Sequence, residues 1–226
     1  MTEGWTLSGG FLGCAALDAP GLAHAFSTRS ADPTVLSQVV SRPFPLRQVH
    51  GDRIVTTDVE EAPEADGAVW IQGLPRRAPA VRTADCVPLL IVEAAGCAAA
   101  AIHAGWRGTA AGIARRGVER LSAAGYPPAS LIAALGPAIG GCCYRVGADC
   151  LEAVLAASEG QGRVGLDHLD LHRSNRAQLL AAGVAEERIH ALPGCTRCRA
   201  DLFHSFRRDG EGAGRMTALV GPRAVA

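Results

Sequence analysis

The chain has 226 residues, 48% of them hydrophobic, and its 22 basic side chains are matched by 22 acidic ones. That hydrophobic content supports a well-buried core and excludes a disordered chain, while the zero net charge excludes a bulk electrostatic grip on nucleic acid or anionic lipid. Every basic residue is arginine, so Schiff-base and lysine-base chemistry are excluded too.

The first segment, MTEGWTLSGGFLGCAALDAPG, lacks a basic n-region and a long apolar stretch, which argues against a signal peptide. No run approaches the ~18 apolar residues of a membrane span. The expectation is a cytoplasmic protein, with a weak preference for a monomer. In that compartment the eight cysteines point to metal binding or catalysis before a disulfide framework.

Short apolar or β-branched stretches bounded by Gly, Pro or Asp then predict strands over residues 22–28, 53–57, 67–71, 87–93 and 97–104. The stretch Glu60–Asp66 (EEAPEAD) reads as a polar surface loop. A helix is predicted over Thr109–Ala124, with Thr109 as its N-cap and Ala110, Ile113, Ala114, Val118 and Leu121 on one stripe. Strands over 130–136, 188–192 and 216–221 are interrupted by helices over Gly147–Ala157 and Leu171–Ala182. Strands and helices do not alternate strictly, so a pure parallel βαβ sheet is not indicated and a mixed-sheet α+β domain fits better.

Three segments crowd polar groups beside turn residues: RQVHGD (47–52), TADC (83–86) and HAGWRGT (103–109). Each lies at a strand edge, where loops present side chains to a site. In the third, glycines flank Trp106-Arg107 and allow close backbone approach, and Arg107 beside a helix start suits an anion. Taken singly, each segment has a plain structural reading: a satisfied histidine, an inert buried thiol, a strand–helix turn. Taken together, His50, Cys86 and His103 would make a three-ligand metal site with one open position, although their separations match no zinc-finger spacing. CTRC (195–198) is a CxxC that, with the adjacent Cys142-Cys143, offers a competing four-cysteine zinc site, but adjacent cysteines rarely ligate one metal comfortably; Cys142, Cys143 and Cys150 therefore read as plain structural residues, and CTRC is left undecided. Without GxGxxG, Walker A, HExxH or GxSxG, the dinucleotide, P-loop, zincin and serine-hydrolase readings lose support.

RQVHGDRI, TADCVPLLI, AAIHAGWRGTAAGI, LGPAIGGCCYRVG, LDLHRSNRAQLLAAGV and CTRCRADLFHSFRRDGEGAGR follow one another in this order. Together they resemble the YfiH family, first labelled polyphenol oxidase or multicopper laccase and also peptidoglycan editing factor. The resemblance covers roughly residues 22–220 and implies an α+β fold with mixed β-sheets sandwiched by helices in α/β/β/α layers. It implies one domain over 1–226, with a segment before residue 47 shorter than is usual in the family. It also implies a zinc site at His50, Cys86 and His103, with purine nucleosides and phosphate as substrates. The activities implied are purine nucleoside and methylthioadenosine phosphorolysis and adenosine deamination. On this reading Arg47 and Arg107 are the natural phosphate partners, and Asp85 orients a ligand or accepts a proton. The alternatives are a cysteine hydrolase in which His103 is the base of Cys86, an inactive nucleoside-binding relative and, last, a copper oxidase.

Overall fold

A computed structural model describes residues 4–59 and 62–224. In chain order the strands are β1 (Trp5–Ser8), β2 (Phe11–Cys14), β3 (Leu22–Ser27), β4 (Pro43–Phe44), β5 (Ile54–Thr56), β6 (Gly67–Ile71) and β7 (Ala78–Thr83). They continue as β8 (Val87–Glu93), β9 (Ala98–Ala104), β10 (Leu131–Leu135), β11 (Arg163–Val164), β12 (His168–Leu169), β13 (Ile189–Ala191) and β14 (Met216–Pro222). The helices are α1 (Leu36–Val39), α2 (Trp106–Ala110), α3 (Ile113–Ala123), α4 (Ala148–Ala156), α5 (Leu171–Ala181) and α6 (Phe206–Asp209).

Two six-stranded mixed sheets stack face to face. One runs β1-β2-β3-β14-β7-β4 and the other β13-β10-β8-β9-β6-β5, with β11-β12 a separate ribbon. Between them lies a core of Leu12, Phe26, Trp70, Leu90, Val92, Ala101 and Val220. The second sheet's other face is covered by α3 and α5 through Ile113, Val118, Leu121 and Leu179, and α1 packs on the first sheet through Leu36. The layers are therefore α/β/β/α, an α+β fold as the resemblance implied.

Every residue of β8 and β9 is buried. A strand covered on both faces needs no polar alternation, which explains the unbroken runs VPLLIVE and AAAAIHA. Small side chains in β9 and Gly117 in α3 bring helix and sheet together: a Cβ on Gly117 would lie 2.3 Å from Ile102 Cδ1.

All eight predicted strands and all three predicted helical regions are present, with two differences. The helix expected over Thr109–Ala124 begins at Trp106 after the cap Gly105 and breaks at Gly112, whose φ of 80° is left-handed. Thr109 is therefore not a cap; it is buried and meets Asn175 and Gln178 of α5. The loop 60–66 also differs from expectation. Glu60 and Glu61 lie outside the described residues, but Ala65 and Asp66 are fully buried rather than part of a polar surface loop.

Candidate functional site

Strand register brings the polar segments to one end of the second sheet. β8 and β9 pair antiparallel with Val87 opposite Ala104, so one further step sets Cys86 across from Gly105. β6 pairs antiparallel with β9 with Gly67 opposite Ile102, so Asp66 stands across from His103, and the His103 N–H donates to the Asp66 carbonyl at 2.7 Å. β5 lies outside β6, and the turn entering it carries His50. Side-by-side strands thus gather residues 36 and 17 positions apart (50 to 86, 86 to 103), which no local spacing could reveal.

The ligand atoms of His50, Cys86 and His103 all lie within 4.8 Å of one another. The two imidazole rings meet edge to face, 4.8 Å between centroids. Asp66 organises both. Its carboxylate holds His103 Nδ1 at 2.8 Å and accepts the N–H groups of His50 at 3.0 Å and Gly51 at 2.6 Å. With Nδ1 engaged, His103 turns Nε2 toward the sulfur, the carboxylate–histidine arrangement that orients metal ligands. Those bonds also hold His50 at φ 59°, a left-handed conformation that a non-glycine residue keeps only when its surroundings impose it. Glycine at 105 gives the sulfur room, since a Cβ there would lie 3.0 Å from Cys86 Sγ and 3.4 Å from His50 Cδ2.

Burial alone would push the Cys86 thiol up, but hydrogen bonds and charge from His103 and His50 outweigh it and bring the thiol down to about 7. Burial likewise opposes a charged His103, yet Asp66 and Cys86 raise the ring to about 9. At neutral pH the pair is poised as thiolate and imidazolium. Two imidazoles and a thiolate are a three-ligand set for a borderline-soft cation with one position left open. The three residues therefore form a group able to hold a metal.

This group forms the floor of a cleft of about 670 Å³. Five arginines line the cleft: Arg47, Arg82, Arg107, Arg207 and Arg215. Arg47 is paired at 2.5 Å with Glu64, Arg107 lies over the Trp106 ring at 4.5 Å, and Arg207 lies over Tyr144 at 5.1 Å. Phe206, half exposed, joins Trp106 and Tyr144 as an aromatic wall. Burial pushes the Tyr144 phenol up, so it stays a donor at neutral pH.

All six residues singled out from sequence, Arg47, His50, Asp85, Cys86, His103 and Arg107, face this cleft. Asp85 touches neither histidine, however. Its carboxylate accepts from Thr196 Oγ1 at 2.5 Å and from the Arg207 N–H at 2.7 Å, which fixes its left-handed φ of 95°. The ligand-orienting carboxylate is Asp66, which sequence reasoning missed. Its one signal was an acid immediately before the apolar strand GAVWI, obscured by the acidic stretch around it. Arg82, Arg207 and Arg215 were missed because they reach the cleft from β7 of the first sheet, from α6 and from the loop before β14.

Residues 29–223 match the family described as multi-copper polyphenol oxidoreductase laccase. A purine nucleoside phosphorylase of Synechocystis is 36% identical over 250 aligned positions, covering 91% of this chain and 92% of that protein. An adenosine deaminase from an unknown prokaryotic organism is 39% identical, covering 60% of this chain and 54% of its own length. The crystal structure of YlmD from Geobacillus stearothermophilus superposes with a TM-score of 0.86 at 28% identity, over 98% of this chain and 100% of that one.

Proposed function

The chain belongs to the multi-copper polyphenol oxidoreductase laccase family, and on that premise we propose that it is a zinc-dependent purine nucleoside phosphorylase. Methylthioadenosine phosphorolysis and adenosine deamination belong to the same proposal and the same cleft. The observation that carries the reading is the Asp66-backed His50–Cys86–His103 group at the floor of an arginine-lined cleft. A relative named purine nucleoside phosphorylase spans nearly the whole chain, and another relative is named adenosine deaminase. Zinc is favoured over copper by the donor set: among the described residues no methionine lines the cleft, whereas a blue-copper centre commonly adds a weak axial one.

In phosphorolysis the C1′–N9 bond breaks with its electron pair going to the purine, which takes up a proton, while a phosphate oxygen bonds C1′. Guanidinium forks grip phosphate oxygens two at a time, so Arg82, Arg107 and Arg215 are suited to hold the nucleophile. Arg47 is diverted in part by Glu64. The half-exposed Phe206 ring suits a flat purine, Trp106 and Tyr144 each already carrying a guanidinium over one face, and the protonated Tyr144 hydroxyl is available as a donor to the departing base. Asp85 ties the cleft wall to Thr196 and Arg207. When bound, zinc supplies a Lewis acid that polarises the group in its open position.

A second reading is favoured by one feature. Asp66, His103 and Cys86 are linked in the order acid–base–thiol, with Cys86 brought down to about 7, as a cysteine hydrolase would require. Replacing Cys86 by alanine divides the two readings. The phosphorylase loses one bound zinc and forms no ribose 1-phosphate from inosine and phosphate. Full phosphorolysis in Cys86→Ala would remove the proposal, and covalent trapping of Cys86 in metal-free protein by an ester or amide substrate analogue would establish the hydrolase.

A further inference from the structure

Outside the cleft floor, the turn after β10 and the turn after β13 bring Cys142, Cys143, Cys195 and Cys198 together, their sulfurs all within 4.8 Å of one another. The closest separations are 3.4 Å for Cys143–Cys198, 3.8 Å for Cys142–Cys143 and 3.9 Å for Cys142–Cys198. Four thiolates at the zinc–sulfur bond length of about 2.3 Å stand about 3.8 Å apart at the corners of a tetrahedron. A disulfide would pair two sulfurs at about 2.05 Å and leave the other two out; here all four sulfurs share one cluster with no pair at bonding distance.

We propose that Cys142, Cys143, Cys195 and Cys198 form a second, structural zinc site, separate from the cleft. Its four sulfur donors close the coordination sphere, leaving no position for a substrate. The adjacent cysteines that made such a site unattractive in sequence are placed by a tight turn, in which the N–H groups of Cys143 and Tyr144 both donate to the Gly140 carbonyl. Glycine at 140 lets the turns meet: a Cβ there would lie 3.2 Å from Cys195 Cβ and 3.4 Å from Cys142 Sγ. The CxxC arm folds back through an Arg199 N–H bond to the Cys195 carbonyl at 2.9 Å, and Arg208 grips the carbonyls of Thr196 and Arg197 inside it. Four thiolates on a divalent ion leave a net negative charge, and the Arg197 side chain hydrogen-bonds the Cys143 sulfur.

The site has a reason to exist. Thr196, between the two outer ligands of the CxxC, donates to Asp85, the residue before Cys86. A metal clamp on these turns thus fixes a carboxylate that shapes the cleft wall, although no cluster cysteine lines the cleft.

Elemental analysis of full-length protein purified under reducing conditions without chelator tests the inference. The wild type should hold two zinc ions per chain, Cys86→Ala one, Cys143→Ser one and the double variant none. Because Cys143→Ser can fail to fold, cobalt substitution of Cys86→Ala gives a second reading: it should show the intense thiolate charge-transfer and d–d bands of a tetrahedral four-sulfur site. A wild type holding one zinc that Cys86→Ala keeps and Cys143→Ser loses would still support this site while removing the cleft metal. Overturning results are metal lost entirely in Cys86→Ala, cobalt spectra without four-sulfur character, iron in place of zinc, or a Cys143–Cys198 disulfide found by mass spectrometry in the native protein.

Discussion

The molecule gathers metal-capable side chains in two places, and they are built in opposite ways. Cys86 and His103 sit at the ends of buried strands and His50 on the turn entering β5, with the fully buried Asp66 behind them. The four cysteines sit on two turns, two of them solvent-exposed. Sheet register fixes the first group before any ion arrives, and three donors leave room for a reacting group. The second group rests on turns rather than on strand pairing, so an ion there would itself hold the turns together. A preorganised open site suits chemistry, whereas a closed site on loops suits architecture.

Breaking the support of the first group should have the largest effect. Asp66→Ala removes the partner of His103 and the acceptor of three backbone N–H groups, from Val49, His50 and Gly51. Losing one member of a buried, hydrogen-bonded pair costs about 3–5 kcal/mol, so urea unfolding should shift by that amount and the cleft metal should be lost. The four-cysteine metal should remain under native conditions. Loss of under 1 kcal/mol with metal retained would show that Asp66 does not organise the triad.

Gly105→Ala perturbs the same group without removing a bond. The backbone there has φ −77°, which alanine adopts freely. The new methyl group would press on Cys86 Sγ and His50 Cδ2 instead. Perturbing what positions metal ligands typically costs 10–100-fold in affinity, and a chelator competition assay should find a loss in that range with the far-UV spectrum unchanged. Unchanged affinity would mean that the sulfur has slack the packing does not suggest.

Acidity separates the two groups more gently. Metal binding at the cleft requires Cys86 as thiolate and His103 neutral. Without metal, His103 is protonated below about 9 and Cys86 below about 7. Affinity should therefore rise with pH: about tenfold per unit between these values, where only His103 releases a proton, more steeply below and level above. A flat profile from pH 7 to 9 would contradict the imidazolium.

How much of this was legible in the sequence follows from how each part is built. β8 and β9 announced themselves as unbroken apolar runs, and the glycines of HAGWRGT marked a close backbone approach, which Gly105 makes to Cys86. β7, APAVRT, was hidden because proline and arginine disguise a strand that pairs with β14 and β4. Asp66 was hidden because its role depends on register: it stands opposite His103 only once β6 pairs with β9. The cysteine cluster was named in the sequence but set aside, because two turns 52 residues apart, Cys143 to Cys195, meet only after β10 and β13 pair side by side.

The mouth of the cleft should yield the smallest effect and sharpen the comparison further. Arg107 is exposed, stacked on Trp106, and shares its surroundings with four other arginines. Removing one of five cations from a solvated rim weakens an anion's hold without emptying it, because the remaining guanidinium groups and mobile salt compensate. Arg107→Ala should therefore raise the KM for phosphate by about tenfold, equivalent to about 1.4 kcal/mol. It should alter unfolding stability by no more than about 0.5 kcal/mol, as exposed positions do. The KM effect should grow at low salt and shrink at high salt, whereas the metal content of both groups stays constant. An equal loss of phosphate and nucleoside affinity, independent of salt, would instead make Arg107 a support for the Trp106 wall.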